Sequence, residues 1–316
     1  MARILVTRRL PDGGVDPLLA AGHELVQRTD DSPFSPAELA DAVRDVDAVV
    51  CLLTDRIDDA VLAAGGDRLR VVANVAVGYD NVDVAAARQR GIAVCNTPGV
   101  LDETTADLAF LLMLAASRLA HDAEADLRED RWHGWGINQY LGRDVHGATL
   151  GLVGYGRIGR AVARRATGFG MSVLHHTRTD TGEAGHVADL HRLLADADIV
   201  SIHVPLTDAT RGLIGRAELA AMGPHAVLVN TSRGPVVDEE ALADALTEGT
   251  IFAAGIDVFE REPEVHPKLL AAPHAVLLPH IGSASVATRT RMAQVACEGV
   301  VAVLAGATPP NLVTAG

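Results

Sequence analysis

The chain has 316 residues, 48% hydrophobic and 22% charged, with a formal net charge of -14. This suits a compact protein of about two domains and excludes a disordered one, while the acidic balance and the lack of a basic stripe exclude a nucleic-acid surface. No run approaches about 20 uninterrupted apolar residues, and the start "MARILVTRRLPDGG" passes at once to charge and turn formers, so no membrane span or signal peptide is expected and the expected compartment is the cytoplasm.

In chain order, short β-branched runs alternate with amphipathic helical ones: "RILVT", "SPAELADAV", "DAVVCLL", "DDAVLAAGG", "RLRVVANVAVG", "VDVAAARQRG" and "IAVCNTPG". That alternation predicts βαβ units and a parallel sheet, because parallel neighbours need a crossover and the crossover is usually a helix. "LDETTADLAFLLMLAASRLAHDAEADLRED" then reads as one long helix, with Thr104 or Thr105 near its cap, a buried first half and a solvated second half. A second alternation follows: "ATLGLVG", "RIGRAVARRATGFG", "MSVLHHT", "VADLHRLLADA", "DIVSIHVP", "RAELAAMG", "HAVLVNTS", "EEALADALTEG", "IFAAGIDVF" and "AVLLPH". Two βα series predict two doubly wound α/β domains. The final segment, "ASVATRTRMAQVACEGVVAVLAGA", is helical, and its pattern does not say which domain it packs on.

Cys51, Cys95 and Cys297 are odd in number and lack metal-ligand spacing, so they read as reduced thiols; the first two stand in strand-like runs and read as core. No metal site is expected. Lys268, the one lysine, stands in "EVHPKLLAAP", which reads as a loop. A GxxxxGK[ST] phosphate loop is therefore absent, and Schiff-base chemistry would rest on this residue alone.

"TLGLVGYGRIG" sets Gly154, Gly156 and Gly159 in GxGxxG spacing between a strand-like and a helix-like run. The first glycine allows the tight turn, the second lets backbone approach a pyrophosphate, and the third lets helix pack on strand. At the end of the next strand, where an acid would grip the ribose hydroxyls of NAD, "SVLHHTRTD" offers Thr177, Arg178 and Thr179. Losing the acid removes repulsion of a 2′-phosphate, and a guanidinium supplies forked donors, so NADP(H) is the preferred cofactor expected and NAD(H) stays possible. Arg178 as a solvated surface residue is the plain alternative. Of His175 and His176, strand alternation points one away.

Three more strand-like runs end on polar residues: "VLVNTSRGPVVDEEAL" with Arg233, "AAGIDVFEREPEVHP" with Asp257 and Glu262, and "VLLPHIGSAS" with His280. In an open parallel sheet the ligand crevice lies outside the carboxyl ends of the strands, where these ends can converge. Carbonyl reduction by hydride needs an acid to protonate the developing alkoxide and a cation to hold an anionic substrate. A histidine beside a carboxylate suits the first role and an arginine the second. Singly, each has an ordinary reading: a helix-start charge, one acid of a polar loop, a histidine satisfied at a strand end.

Together with "NVAVGYDNVDV", "GYGRIG" and "HVPLTDATRGLIG", these segments resemble, in order and over nearly the whole chain, the D-isomer-specific 2-hydroxyacid dehydrogenases. "CLLTDRID", "VLDETTADLAFLLMLAASR", "RWHGWGINQYLG" and "HHTRT" are similar to the glyoxylate/hydroxypyruvate reductase branch. The resemblance implies a Rossmann-type cofactor domain, residues 100–284, inserted in a flavodoxin-like substrate domain, residues 1–99 plus 285–316. It implies Arg233, Glu262 and His280 as the catalytic set, with His280 the proton donor, and Leu53, Val77 and Gly78 beside Arg233 at the substrate. Around the cofactor it implies Thr105, Gly154, Tyr155, Gly156, Arg157, Ile158, Gly159, Thr177, Arg178, Thr179, Val204, Pro205, Thr210, Thr231, Ser232, Asp257, His280 and Gly282. It further implies a homodimer in which Trp132 or Trp135 either reaches the partner's active site or fills the interface. Arg261, where many relatives carry a small residue or proline, is a mild departure. The expected reaction is NADPH-linked reduction of a small 2-oxo acid to the 2-hydroxy acid; the rivals are an NAD-linked 3-phosphoglycerate or D-lactate type dehydrogenase and a cofactor-sensing binding protein without turnover.

Overall fold

The computed structural model describes residues 1–314 apart from Thr29 and Thr181. In chain order the elements are β1 (Arg3–Val6), α1 (Asp16–Ala20), β2 (Glu24–Gln27), α2 (Pro36–Ala42), β3 (Ala48–Cys51), α3 (Asp59–Ala64), β4 (Val71–Asn74), α4 (Val84–Gln89) and β5 (Ala93–Cys95). There follow α5 (Asp102–Ser117), α6 (Ala120–Arg128), β6 (Thr149–Val153), α7 (Arg157–Ala166), β7 (Ser172–His176), α8 (Leu190–Asp196), β8 (Ile199–Ile202), α9 (Arg216–Met222) and β9 (Val227–Asn230). The rest are α10 (Glu239–Thr247), β10 (Ala253–Ile256), α11 (Pro267–Leu270), β11 (Ala275–Leu277) and α12 (Val286–Leu304).

Two compact units result, one of Met1–Leu101 with the segment from Ser283 onward, the other of Asp102–Gly282. The junctions fall there rather than at 99/100 and 284/285. Leu101 is buried, α5 begins at Asp102, and the Gly282 N–H is taken by Asp257 within the second unit.

The first unit is an all-parallel sheet of order β2-β1-β3-β4-β5, the flavodoxin-like order. β3 and β4 are buried at all four positions, as a sheet covered on both faces requires. α12 packs on β3, β4 and α1, so the last helix belongs to this unit. Asp58 and Asp83 cap α3 and α4 with their carboxylates, and Ser35 with Glu38 makes a reciprocal capping box on α2.

The second unit is also parallel, of order β11-β10-β9-β8-β6-β7, with the switch point between β6 and β8. Its registers align His176, Val153, Ile202, Asn230, Ile256 and Leu277 in one row across the carboxyl end of the sheet. Beyond β7 a further strand is reduced to a single bridge between His175 and His186. One face packs on α5 and α7 through residues such as Leu112, Leu152, Val162 and Val229, the other on α8 to α10 through Leu193, Leu219, Leu228 and Leu242. Each such fully buried aliphatic side chain contributes about 1.5–3 kcal/mol.

Three sequence expectations need correction. The long helix breaks into α5 and α6 at Leu119, which has a left-handed φ of 49°. The cause is the returning chain: the Arg143 N–H takes the Ser117 carbonyl at 2.7 Å, and Gly142 packs so closely on that carbonyl that a Cβ would overlap it. α6 then buries none of its residues. Thr104 and Thr105 lie inside the first turn of α5 instead of at its cap. Lys268 stands on the short helix α11 rather than in a loop, where it pairs with Glu240 and Asp244.

Candidate active site

Most of the residues singled out in the second unit follow the aligned row of strand ends, while Thr105 stands on α5 and Trp132 and Trp135 follow α6. After β6 comes Gly154, whose φ of 99° is left-handed; a Cβ there would stand 2.7 Å from the His203 carbonyl oxygen beyond β8. At Gly159 a Cβ would overlap the Gly154 carbonyl. These two glycines are demanded by the packing of turn, strand and helix. Gly156 is different: a Cβ there meets nothing within 4 Å. Its bareness serves no contact within the protein, and it is the N-cap of α7 with no side chain capping the first turn. Open space beside uncapped helix N–H groups fits a dinucleotide's pyrophosphate.

Arg157 and Ile158 begin α7, and the Arg157 charge acts on Asp102 at the start of α5. The Tyr155 ring stacks on His175 with centroids 4.0 Å apart, and the Arg160 guanidinium lies over the Tyr155 ring, 5.1 Å from its centroid. His175 is fully buried and His176 partly exposed, its Nδ1 3.0 Å from the Val187 carbonyl oxygen. Thr177 Oγ1 donates to the Thr179 carbonyl at 2.8 Å, leaving the exposed Arg178 at the crest of a tight turn. After β8, Val204 and Pro205 enter a loop that Thr210 closes, its Oγ1 donating to the Pro205 carbonyl and accepting from the Thr207 N–H.

Beyond β9, Asn230 shapes the turn that carries Arg233. Its Oδ1 accepts the N–H and the hydroxyl of Ser232, and its Nδ2 donates to the Arg233 carbonyl. Thr231 is buried, and its hydroxyl has no partner among the described residues. Gly234, the next residue, lies against the Phe259 carbonyl and the Glu260 nitrogen so closely that a Cβ would overlap both. The Arg233 turn is thereby docked on the backbone that leads to Glu262.

Beyond β10, Asp257 is 1% exposed. Its two carboxylate oxygens accept the N–H groups of Ile281 and Gly282 at 2.7 and 2.8 Å, and its own carbonyl accepts from the His280 N–H. Burial pushes its carboxyl up from 3.8 to about 6, against the Ile281 donor, the His280 charge and the Gly282 donor, which all favour the charged form. Thr105, buried on α5, would lie 3.6 Å from a Cβ on Gly282, which ties both to the same corner.

Beyond β11, His280 has a left-handed φ of 53° and puts its Nδ1 2.8 Å from Glu262 Oε2. The other oxygen of Glu262 accepts the Phe259 N–H at 3.0 Å. Burial works to raise the Glu262 carboxyl, but the His280 hydrogen bond and charge, the Phe259 donor and the Arg233 charge outweigh it and hold it below the usual range. With Nδ1 engaged, Nε2 is the ring nitrogen left to deliver a proton.

In the first unit, Leu53 is half-buried on the loop after β3. The carbonyls of Val77 and Gly78 are bound by Asn96 and Asn74, and among the described residues neither N–H has a partner. Two unpartnered amides in succession suit a carboxylate. Trp132 and Trp135 are 46% and 80% exposed in the segment after α6.

Sequence reasoning passed over four residues that build this site. Asn230 and Gly234 shape the Arg233 turn; Glu239 is a buried acid opening α10; His203 is pushed down to about 4 by burial, its Nε2 2.9 Å from Ser201 Oγ. Only the glycine carried a signal, standing between Arg233 and Pro235 in "SRGP".

Residues 110–282 match the family described as D-isomer specific 2-hydroxyacid dehydrogenase, NAD binding domain. A glyoxylate reductase of Korarchaeum cryptofilum is 49% identical, over 98% of this chain and 95% of its own; one of Thermococcus litoralis is 43% identical, over 98% and 96%. A solved protein of Thermus thermophilus superposes with a TM-score of 0.92 at 46% identity, covering 99% of this chain and 100% of its own. The NADPH-dependent glyoxylate/hydroxypyruvate reductase of Sinorhizobium meliloti, solved with NADP and malonate, gives a TM-score of 0.86 at 37% identity, covering 99% and 96%.

Proposed function

Because the chain belongs to the D-isomer-specific 2-hydroxyacid dehydrogenase family, we propose that it is an NADPH-preferring reductase of small 2-oxo acids such as glyoxylate or hydroxypyruvate. Membership makes it an NAD(P)-dependent oxidoreductase; the substrate class is taken from what its relatives are called. The observation that carries the reading is the Glu262–His280 pair, 2.8 Å apart at the strand ends that also bear Arg233 and the Gly156 turn.

When bound, the nicotinamide supplies a hydride to the carbonyl carbon. The chain's residues do the rest. His280 gives its Nε2 proton to the oxygen that gains charge, and Glu262, bonded to Nδ1, keeps the ring oriented for that step. Arg233 holds the substrate carboxylate, and within the first unit the amides of Val77 and Gly78 suit a carboxylate, with Leu53 as an apolar neighbour on the loop after β3. Gly156 and the uncapped start of α7 receive the pyrophosphate, and Asp257, Thr105 and Gly282 border the nicotinamide end. Thr177 and Arg178, standing where an acid would repel it, receive the 2′-phosphate. Trp132 and Trp135, with Ile137 and Leu141 close to them in the chain, are exposed apolar side chains that a second copy would cover.

A steady-state assay of the purified protein with NADPH or NADH against a panel of 2-oxo acids tests this. Turnover of glyoxylate or hydroxypyruvate, faster with NADPH, is expected. No turnover of any 2-oxo acid would overturn the reading in favour of a cofactor-sensing binding protein.

A further inference from the structure

We infer that Glu239 is a positioning residue, which straps the segment 260–266 in place and so holds Glu262 against His280. The inference rests on the role proposed above for that pair. Glu239 is 5% exposed although it stands in the first turn of a helix, where its neighbour Glu240 reaches outward to Lys268. Its Oε1 accepts the Glu260 N–H and its Oε2 accepts the His266 N–H at 3.1 Å. In return the Glu239 N–H donates to Glu260 Oε1 at 3.1 Å.

These bonds fasten both ends of the segment in which Glu262 stands. Within it the Glu264 N–H donates to the Arg261 carbonyl at 2.9 Å, which closes the turn. Burying a carboxylate is costly unless its lone pairs are satisfied, and here they are spent on the backbone of this one segment. Beside Glu239's own contacts, Gly234 seats the same segment on the Arg233 turn. The start of α10 thus fixes the backbone under both Arg233 and Glu262.

Glu239→Gln keeps the shape of the side chain but turns one acceptor into a donor, so one of the two N–H groups faces an amide NH2. Losing a charged, buried hydrogen bond of this kind lowers kcat for glyoxylate reduction about ten- to a hundredfold. The KM for NADPH stays within about twofold, since no cofactor contact is touched. As Glu262 loosens, the profile of kcat/KM against pH narrows from its acid side, because Glu262 loses contacts that hold it charged. The crystal structure of Glu239→Gln shows Glu262 Oε2 and His280 Nδ1 beyond hydrogen-bond distance, a readout that needs no turnover. Glu260→Ala, which removes only the return bond, shifts the profile the same way by less and carries the test if Glu239→Gln does not fold. An intact Glu262–His280 bond in the variant, or a pH profile of unchanged width whatever happens to kcat, would overturn the inference. If the parent reduced no 2-oxo acid, the reading of function would fall while the crystal comparison still decided the role of Glu239.

Discussion

Gly234→Ala perturbs the contact that joins the Arg233 turn to the Glu262 segment. The added Cβ would overlap the Phe259 carbonyl and the Glu260 nitrogen, which are backbone atoms, so no side chain can swing aside. Restoring an ordinary carbon–carbon contact of about 3.5 Å needs a shift on the order of 1 Å or more. Overpacking of this kind costs about 1–3 kcal/mol, which in a domain of this size lowers Tm by roughly 2–12 °C. A misplacement of that order at a catalytic group costs about a hundredfold in rate. The assay is kcat/KM for glyoxylate at saturating NADPH, run well below the Tm of the variant and paired with a thermal melt. The expected result is a loss of about a hundredfold in kcat/KM in protein that is still folded. If the melt moved while kcat/KM stayed within about twofold of the parent, the contact would matter to the fold alone and the argument would be refuted.

Arg178→Ala should cut the NADPH-to-NADH ratio of kcat/KM about ten- to a hundredfold, by raising the KM for NADPH and sparing that for NADH; a ratio left unchanged would sink the account of cofactor choice. For Asp257, whose carboxyl is raised to about 6, the contribution to stability is present below its unfolded value and is lost as pH rises through about 6. The Tm of the parent relative to Asp257→Asn should therefore fall between about pH 4 and pH 6, and a flat difference would contradict the burial argument. Glu262 is held below the usual carboxylate range, so its contribution is present above that range and lost as pH falls through its lowered value. Glu262→Gln should accordingly lose the acid limb of the parent's pH profile, and a limb that survives the substitution belongs to another group. Trp135→Arg should shift the protein from dimer to monomer in analytical ultracentrifugation, and a single species of unchanged mass would count against the proposed face.

The βα alternation was legible because β-branched runs and helical runs have different periods, and every strand-like run quoted above contains a strand. The strand-end argument was legible too, since Arg233, Asp257 and His280 each follow an aliphatic run that reads as a strand, and parallel topology sends those ends to one edge. What the sequence hid were contacts made by chain remote in sequence. Nothing in "AASRLAHDAE" breaks a helix; the break at Leu119 comes from Gly142 and Arg143. The partners of a buried Glu239 lie at positions 260 and 266, and its spelling is that of any first-turn acid. His175 and His176 alternate as strand geometry requires, but which of them is buried was decided by Tyr155 stacking on His175. The open space beside Gly156 separates it from Gly154 and Gly159, which look the same in the motif.

In the proposed reaction His280, held by Glu262, protonates the carbonyl oxygen of the 2-oxo acid as hydride reaches its carbon. Its most direct test is single-turnover NADPH oxidation by glyoxylate in the parent and in His280→Ala, with NADPH affinity measured separately. The rate should fall by about 10²–10⁴ while NADPH binds as before. A His280→Ala protein that reduces glyoxylate at the parent's rate would contradict it.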